Sequence, residues 1–266
     1  MKQLKLMVLA LTLLMGTMFT SCMDSGENGP QQWAGVVKVN DRMGYVTFTD
    51  AAGTELIPTN TVPVTLSARM AYIYCQVDEG QDLSTNPKQI KVTLLADPTG
   101  IDAPAVTTTA VGGSGDVTTN APIGSLSFAS GYSTVAPFQF SENTIVLPVL
   151  YRVKNVSTPE DIKNELAKHS FTLVCYTDDI TSGATELKLH LRYAVNDETT
   201  AIVERATRTS SFKAYDITEF LREYKQKSGQ DKPAKIIVVA QQNEYNKIED
   251  SSTTEKAYEI EYKTAK

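Results

Sequence analysis

The chain has 266 residues, 41% of them hydrophobic and 21% charged, with 31 acidic side chains against 25 Lys and Arg. That length holds one large domain or two modest ones with real cores. A net charge of −6, with no basic patch interleaved with aromatics, argues against a phosphate-tracking surface and so against nucleic acid as a partner.

Taken in chain order, Lys2 and Lys5 precede an uncharged run from Leu6 to Phe19, and the small residues Thr20 and Ser21 lead to Cys22. This pattern predicts an export signal over 1–21. The run is shorter than the roughly 20 apolar residues of a spanning helix, and no basic stop-transfer cluster follows. Phe19-Thr20-Ser21-Cys22 resembles the lipobox of bacterial lipoproteins, with Phe where Leu is commoner. The resemblance implies cleavage before Cys22, a diacylglycerol on its sulfur and acylation of the new amino group. One acyl chain anchors only marginally, at about 0.8 kcal/mol per buried CH₂, whereas two or three hold a protein durably. Residues 22–32 are small, acidic or turn-forming and read as a lipidated flexible tether.

Short strands separated by turn chemistry follow from Trp33. WAGVVKV (33–39), YVTFTD after an Asn-Asp-Arg-Met-Gly turn, TELIP, RMAYIYCQVD (69–78) and KQIKVTLLAD (88–97) each alternate or end at Gly or Pro. Five short strands over 33–97 predict a small barrel; the OB type is the natural candidate, and an SH3-like barrel stays open. Residues 98–120, rich in Thr, Gly, Ala and Pro, read as a linker. Gly112-Gly113-Ser114-Gly115 lacks the Lys-Ser/Thr and the strand-to-helix context of a phosphate loop.

Residues 121–266 again read as strands: 143–153 with Pro148 at an edge or bulge, a hairpin of 171–178 with 185–195, then 210–217, 234–243 and 256–263. Two amphipathic helices interrupt them. Thr158-Pro159-Glu160-Asp161 is a strong start for the first, with a capping hydroxyl, Pro in the first turn and acids behind it. Asp216 to Glu219 reads as a capping box for the second, with Ile217, Phe220, Leu221 and Tyr224 on its apolar face and Gly229 as its stop. The expected fold class is all-β: an OB-like small barrel followed by a β-sandwich with two short crossover helices. Cys75 and Cys175 lie on the apolar side of strands in different domains, which predicts separate buried thiols.

Catalytic patterns are sparse. His169 and His190 share no zinc-ligand spacing with Cys or carboxylates and read as solitary surface histidines. There is no Gly-x-Ser-x-Gly elbow. Asp178-Asp179 and the Asp78, Glu79, Asp82 group read as solvated turns rather than calcium sites. No metal or cofactor is expected. Exposed aromatics are the best hint of binding: Tyr72 and Tyr74 oppose the Cys75 side of their strand, and Tyr45 opposes Val46 and Phe48. OB barrels bind oligomers on such faces, and flat rings stack on sugars or contact proteins. The alternative for these tyrosines is packing within the molecule.

The order of parts, from the lipobox through GVVKV…GYVTFTDAAGTELIP and NAPIGSLSF…GYS (120–133) to TELKLHLRYAVND and KAYEIEYK, resembles the NigD-like lipoproteins of Bacteroidetes. The resemblance implies an OB domain, a β-sandwich, an outer-membrane setting and a role of immunity type, and it carries no family-wide catalytic residues. In lipoproteins of that phylum, acids soon after the lipidated cysteine promote outward display. Asp24 and Glu27 favour the cell surface over the periplasmic face on that ground. The expectation is a non-enzymatic binding module of the envelope, anchored to the membrane at Cys22 and meeting a protein or glycan partner. Surface glycan binding is the alternative, and an uncharacterised hydrolase comes third.

Overall fold

The structure, a computed structural model, describes residues 31–42, 44–62, 67–81, 83, 86–130, 133–196, 205–243 and 252–264. Contacts group them into two compact units, one running to Asp102 and including Ala129–Val135, the other Ala103–Phe128 with Ala136 onward.

The first unit is a closed barrel. Its strands are β1 (Gln32–Arg42), β2 (Tyr45–Thr49), β3 (Glu55–Pro58), β4 (Met70–Val77) and β5 (Gln89–Leu94), with β6 (Thr99–Gly100) added outside β4. They follow the order β1-β2-β3-β5-β4, and β4 returns to β1. Closure depends on the length of β1, which changes partner midway. Gln32 to Lys38 pair with β4, and Lys38 to Arg42 pair with β2. β3 and β5 run parallel and the other closing pairs antiparallel, the Greek-key pairing of an OB-type barrel. Alternation then fills the interior with Val37, Phe48, Leu56, Ala71, Ile73, Cys75, Ile90, Val92 and Leu94, and Trp33 packs against them. Gly35 is needed where Trp33 folds back over β1, since a Cβ there would meet the indole at 2.8 Å. The β2–β3 turn is tied by Asp50, whose Oδ1 accepts from the backbone N–H of Ala52 at 2.9 Å and of Thr54 at 2.8 Å.

Residues 98–120 are not a free linker. Besides β6 they supply β7 (Ala105–Thr108), which pairs in parallel with residues 173–176 of the second unit. Asn120 is fastened too, giving and taking hydrogen bonds with the Val195 backbone. The polar composition that suggests a linker also suits a short edge strand, and non-local pairing decides between the two.

β8 (Phe128–Ser130) and β9 (Ser133–Val135) form a two-stranded sheet. The second unit contains β10 (Phe138–Ser141), β11 (Thr144–Val153), α1 (Pro159–Ala167), β12 (His169–Tyr176), β13 (Glu186–Val195), β14 (Thr207–Asp216), α2 (Thr218–Ser228), β15 (Lys235–Gln242) and β16 (Thr254–Glu261). A three-stranded sheet, β10-β11-β14, and a five-stranded sheet, β16-β15-β13-β12-β7, share one core. Ile145, Leu147, Val149 and Tyr215 come from the first; Leu173, Leu189, Val238 and Ile260 come from the second. Each helix carries the chain from the small sheet to the large one, so the expected sandwich with two crossover helices is what forms. Pro148 sits beyond the last β10 partner, Val146, where its missing N–H breaks no ladder to β10.

Thr158 caps α1 as its sequence predicts, its Oγ1 accepting from Asp161 N–H at 3.1 Å. The α2 cap differs from the expected box. Asp216 accepts from Thr218 N–H at 2.9 Å, while Ile217 occupies the cap position without a side-chain bond. The stop is as expected, with Gly229 at φ 75° in the left-handed region. Cys75 and Cys175 are free and buried, one in each unit. Burial pushes both thiols up to about 12.

Candidate functional site

Cys22 lies outside the described residues. The three candidate tyrosines lie within them. On β4, Ala71, Ile73 and Cys75 point into the core and Tyr72 and Tyr74 outward, Tyr72 half-buried and Tyr74 40% exposed. Tyr45 is 55% exposed. Register separates them. Tyr72 pairs across to Val36 and Tyr74 to Ala34, whereas Tyr45 pairs to Arg42. At about 3.3 Å per residue, the step from Val36 to Arg42 carries Tyr45 roughly 20 Å along β1 from Tyr72. The expected single aromatic face is therefore two places. The Tyr74 hydroxyl also donates to Gln32 Oε1.

Tyr45 stands instead across the β1–β2 ladder from Arg42, which lines a polar groove that Tyr45 itself does not line. By alternation it shares the outer face of β2 with Thr47 and Thr49. An open cavity of about 720 Å³ lies here, lined by Asn40, Arg42, Thr49, Glu55, Lys88 and Gln89 with Gly53 and Pro87. Its wall is a hydrogen-bonded array. Asn40 Nδ2 donates to Thr49 Oγ1 at 2.8 Å, Thr47 Oγ1 to Glu55 Oε1 at 2.8 Å, and Gln89 Nε2 to Glu55 Oε2 at 2.8 Å. The Thr47 and then the Gln89 hydrogen bond hold the Glu55 carboxyl below its usual range, so it is an ionised acceptor. Arg42 and Lys88 are exposed beside it. Two cations, a fixed carboxylate, amides and hydroxyls can together bind a polyhydroxy ligand or a polar peptide edge. Sequence reasoning passed over these residues. The available signal is the cross-strand pair Asn40 and Thr47, polar on the outward positions of two apolar-inward strands.

The histidines are not solitary surface residues, because long-range packing covers both. The His169 side chain is fully buried. Its Nδ1 lies 2.6 Å from the Tyr193 hydroxyl and its Nε2 3.3 Å from Glu165 Oε1. Arg205 Nε donates to the same Glu165 oxygen at 2.8 Å, and Lys154 N–H at 2.9 Å. Burial depresses the His169 pKa against the pull of Glu165, which favours a neutral ring donating from Nε2 and accepting at Nδ1. Glu165 is pushed up by burial, but the Lys154 N–H, Arg205 and His169 together bring it below its ordinary value. A Tyr-His-Glu chain looks like a proton relay, yet here it faces inward: Glu165 and Arg205 are 4% and 3% exposed. It fastens α1 and residue 205 to the sandwich. His190 Nε2 is 3.0 Å from Asp179 Oδ2 and packs edge-on against Tyr176. Among the described residues no group of three or more His, Cys, Asp or Glu side chains is placed to hold a metal. No described helix is long and apolar enough to cross a membrane.

No protein-family model matches the chain, and no curated protein matches it. A crystal structure from Bacteroides fragilis, of a protein classed as a lipoprotein, is 82% identical, covers 89% of this chain and 100% of its own, and superposes with a TM-score of 0.84. A Bacteroides vulgatus protein of the DUF1344 type is 12% identical over 88% of this chain and 92% of its own, with a TM-score of 0.53. A toxin-related protein of Parabacteroides distasonis is 13% identical over 87% and 93%, with a TM-score of 0.50. The last two share the fold alone. At the identity and coverage of the first, the chain belongs to the same family as that Bacteroides lipoprotein, which implies an envelope protein held to a membrane by lipid.

Proposed function

We propose that the protein is an outer-membrane lipoprotein, attached at Cys22 and displayed on the cell surface, that works by binding rather than by catalysis, in the manner of an immunity or envelope-assembly protein. The observation that carries this reading is the 82% identity to a Bacteroides protein classed as a lipoprotein, taken with Phe19-Thr20-Ser21-Cys22. Kinship with the NigD-like group is part of the proposal, supported by the barrel followed by a sandwich. Cells fed a palmitate analogue should label the wild-type protein and miss Cys22→Ala, which should leave the membrane fraction. Equal labelling of the two would remove the anchor.

The second reading is surface glycan binding, now favoured by the barrel groove at Asn40, Glu55 and Gln89 instead of by Tyr72 and Tyr74. A glycan array should give a signal that falls about tenfold or more in the Asn40→Ala/Gln89→Ala double variant, since each change removes hydrogen-bonding groups from the wall. A positive array untouched by that variant would place the glycan elsewhere.

A further inference from the structure

We infer that β16, an edge of the five-stranded sheet, is a docking strand for an extended segment of a partner protein in which Lys or Arg alternates with apolar residues. The inference goes beyond the readings above, since it requires neither the anchor at Cys22 nor a glycan in the barrel groove. The large sheet ends in β7 on one side and β16 on the other, four residues against eight. β16 pairs with β15 without a register shift from Thr254 to Glu261. In an antiparallel ladder alternate residues bond to the one neighbour, and the rest point their N–H and C=O away from it. Tyr262 N–H donates to Ala234 O, so by alternation Lys256, Tyr258 and Ile260 bond to β15. Glu255, Ala257, Glu259 and Glu261 then face the outer edge, and among the described residues no strand pairs with them there. Proteins commonly break such edges with Pro or a bulge, because they recruit other strands. β16 has neither.

Just past the end of β16 the same edge is already occupied. Gln139 Nε2 donates to Lys263 O at 2.8 Å, and Lys263 N–H donates to Gln139 Oε1 at 2.6 Å. The side-chain amide there makes the two bonds that the peptide group of an added strand would make. A guest strand continues that line past Glu261, Glu259 and Ala257, taking its affinity from the main chain.

Side chains choose the guest. Glu255, Ala257, Glu259 and Glu261 are all exposed, and Lys256, the strand's one cation, lies on the opposite face. Lys235 is shared between Glu259 and Glu186, at 3.2 and 2.9 Å, so Glu255 and Glu261 are the charges that β16 offers most directly. Cationic side chains at alternate positions of the guest meet them across the ladder, where opposite charges attract and like charges repel. The same rule turns away a second copy of this chain. Antiparallel β16 pairing centred on Tyr258 sets Glu255 against Glu261, and centring it on Ala257 sets Glu255 against Glu259. The opposite face carries Tyr258, Ile260 and Tyr262, and both tyrosines are only partly buried. Apolar residues of the guest, at the positions between its cations, extend the sandwich core over those rings.

The test is fluorescence anisotropy of labelled Lys-Val-Lys-Val-Lys-Val-Lys and Glu-Val-Glu-Val-Glu-Val-Glu peptides titrated with the detergent-solubilised full-length protein. The basic peptide should bind, the acidic one should not, and binding should weaken as NaCl is raised. Ala257→Pro removes an N–H that faces the guest and none that faces β15. Binding should fall about tenfold or more in that variant while far-UV circular dichroism stays unchanged. Glu255→Lys/Glu261→Lys should reverse the preference between the two peptides, which a loss of folding cannot do. Glu219→Lys, a charge reversal on the exposed face of α2, should leave the preference as it is. No binding of the basic peptide, an unreversed preference in the double variant, or wild-type affinity in a folded Ala257→Pro would each overturn the docking strand. Dimerisation in sedimentation that Ala257→Pro abolishes would overturn it too, by giving the edge to a second copy.

Discussion

Glu165→Ala should destabilise the sandwich unit by about 3–5 kcal/mol, the range for breaking a buried ion pair from one side. The change takes the carboxylate away from Arg205, which is 3% exposed, and from the Lys154 N–H that closes the start of the α1 connection. Glu165→Gln should cost less, because an amide oxygen can still accept from Lys154 and Arg205. Denaturant unfolding followed by circular dichroism would measure both; equal midpoints for Glu165→Ala and wild type would mean the network contributes nothing. The same groups set the acid limb of stability. His169 is depressed in the fold, mainly by burial, from an ordinary value near 6.5. Its contribution is therefore complete above about pH 6.5 and is lost as the pH falls from there through the lower folded value. Glu165 is also depressed, so its contribution is present above its ordinary 4.5 and disappears as the pH falls through its folded value. Thermal midpoints should decline in two stages on acidification, and His169→Gln should flatten the first.

Phe48→Ala should cost the barrel about 3–5 kcal/mol, as truncation of a fully buried aromatic does. The barrel is small, and Phe48 is the one aromatic in its fully buried cluster among the described residues. Little else can move in to fill the space. Trp33 makes the effect measurable. It is the chain's only tryptophan and packs against this cluster, so its fluorescence follows the barrel. A lower midpoint in the fluorescence-detected transition is expected; an unmoved one would mean that Phe48 is not central to the packing.

What could be read from the sequence was mostly local. The alternation of Ile90, Val92 and Leu94, the Thr158 cap and the Gly229 stop are properties of a few consecutive residues, and the structure has each of them. Pairing is not local. Ala105 to Thr108 form a strand because β12 lies beside them, and nothing in Ala-Val-Thr-Thr announces that partner. Tyr45 and Tyr72 have similar sequence contexts, and only the two-partner register of β1 separates them. Glu165 meets Arg205, forty residues on, and nothing in the α1 segment announces that partner. The groove residues were missed for the same reason: Asn40, Glu55 and Gln89 come together through three different strands.

The placement of the two buried thiols gives the molecule a pair of internal clocks. Cys75 and Cys175 sit one to a unit, and burial leaves almost none of either as thiolate at neutral pH. Alkylation of Cys75 must then wait for the barrel to open, and alkylation of Cys175 for the sandwich to open. Mass spectrometry of the two peptides after a timed pulse of iodoacetamide would report both opening events from one sample, with no engineered label.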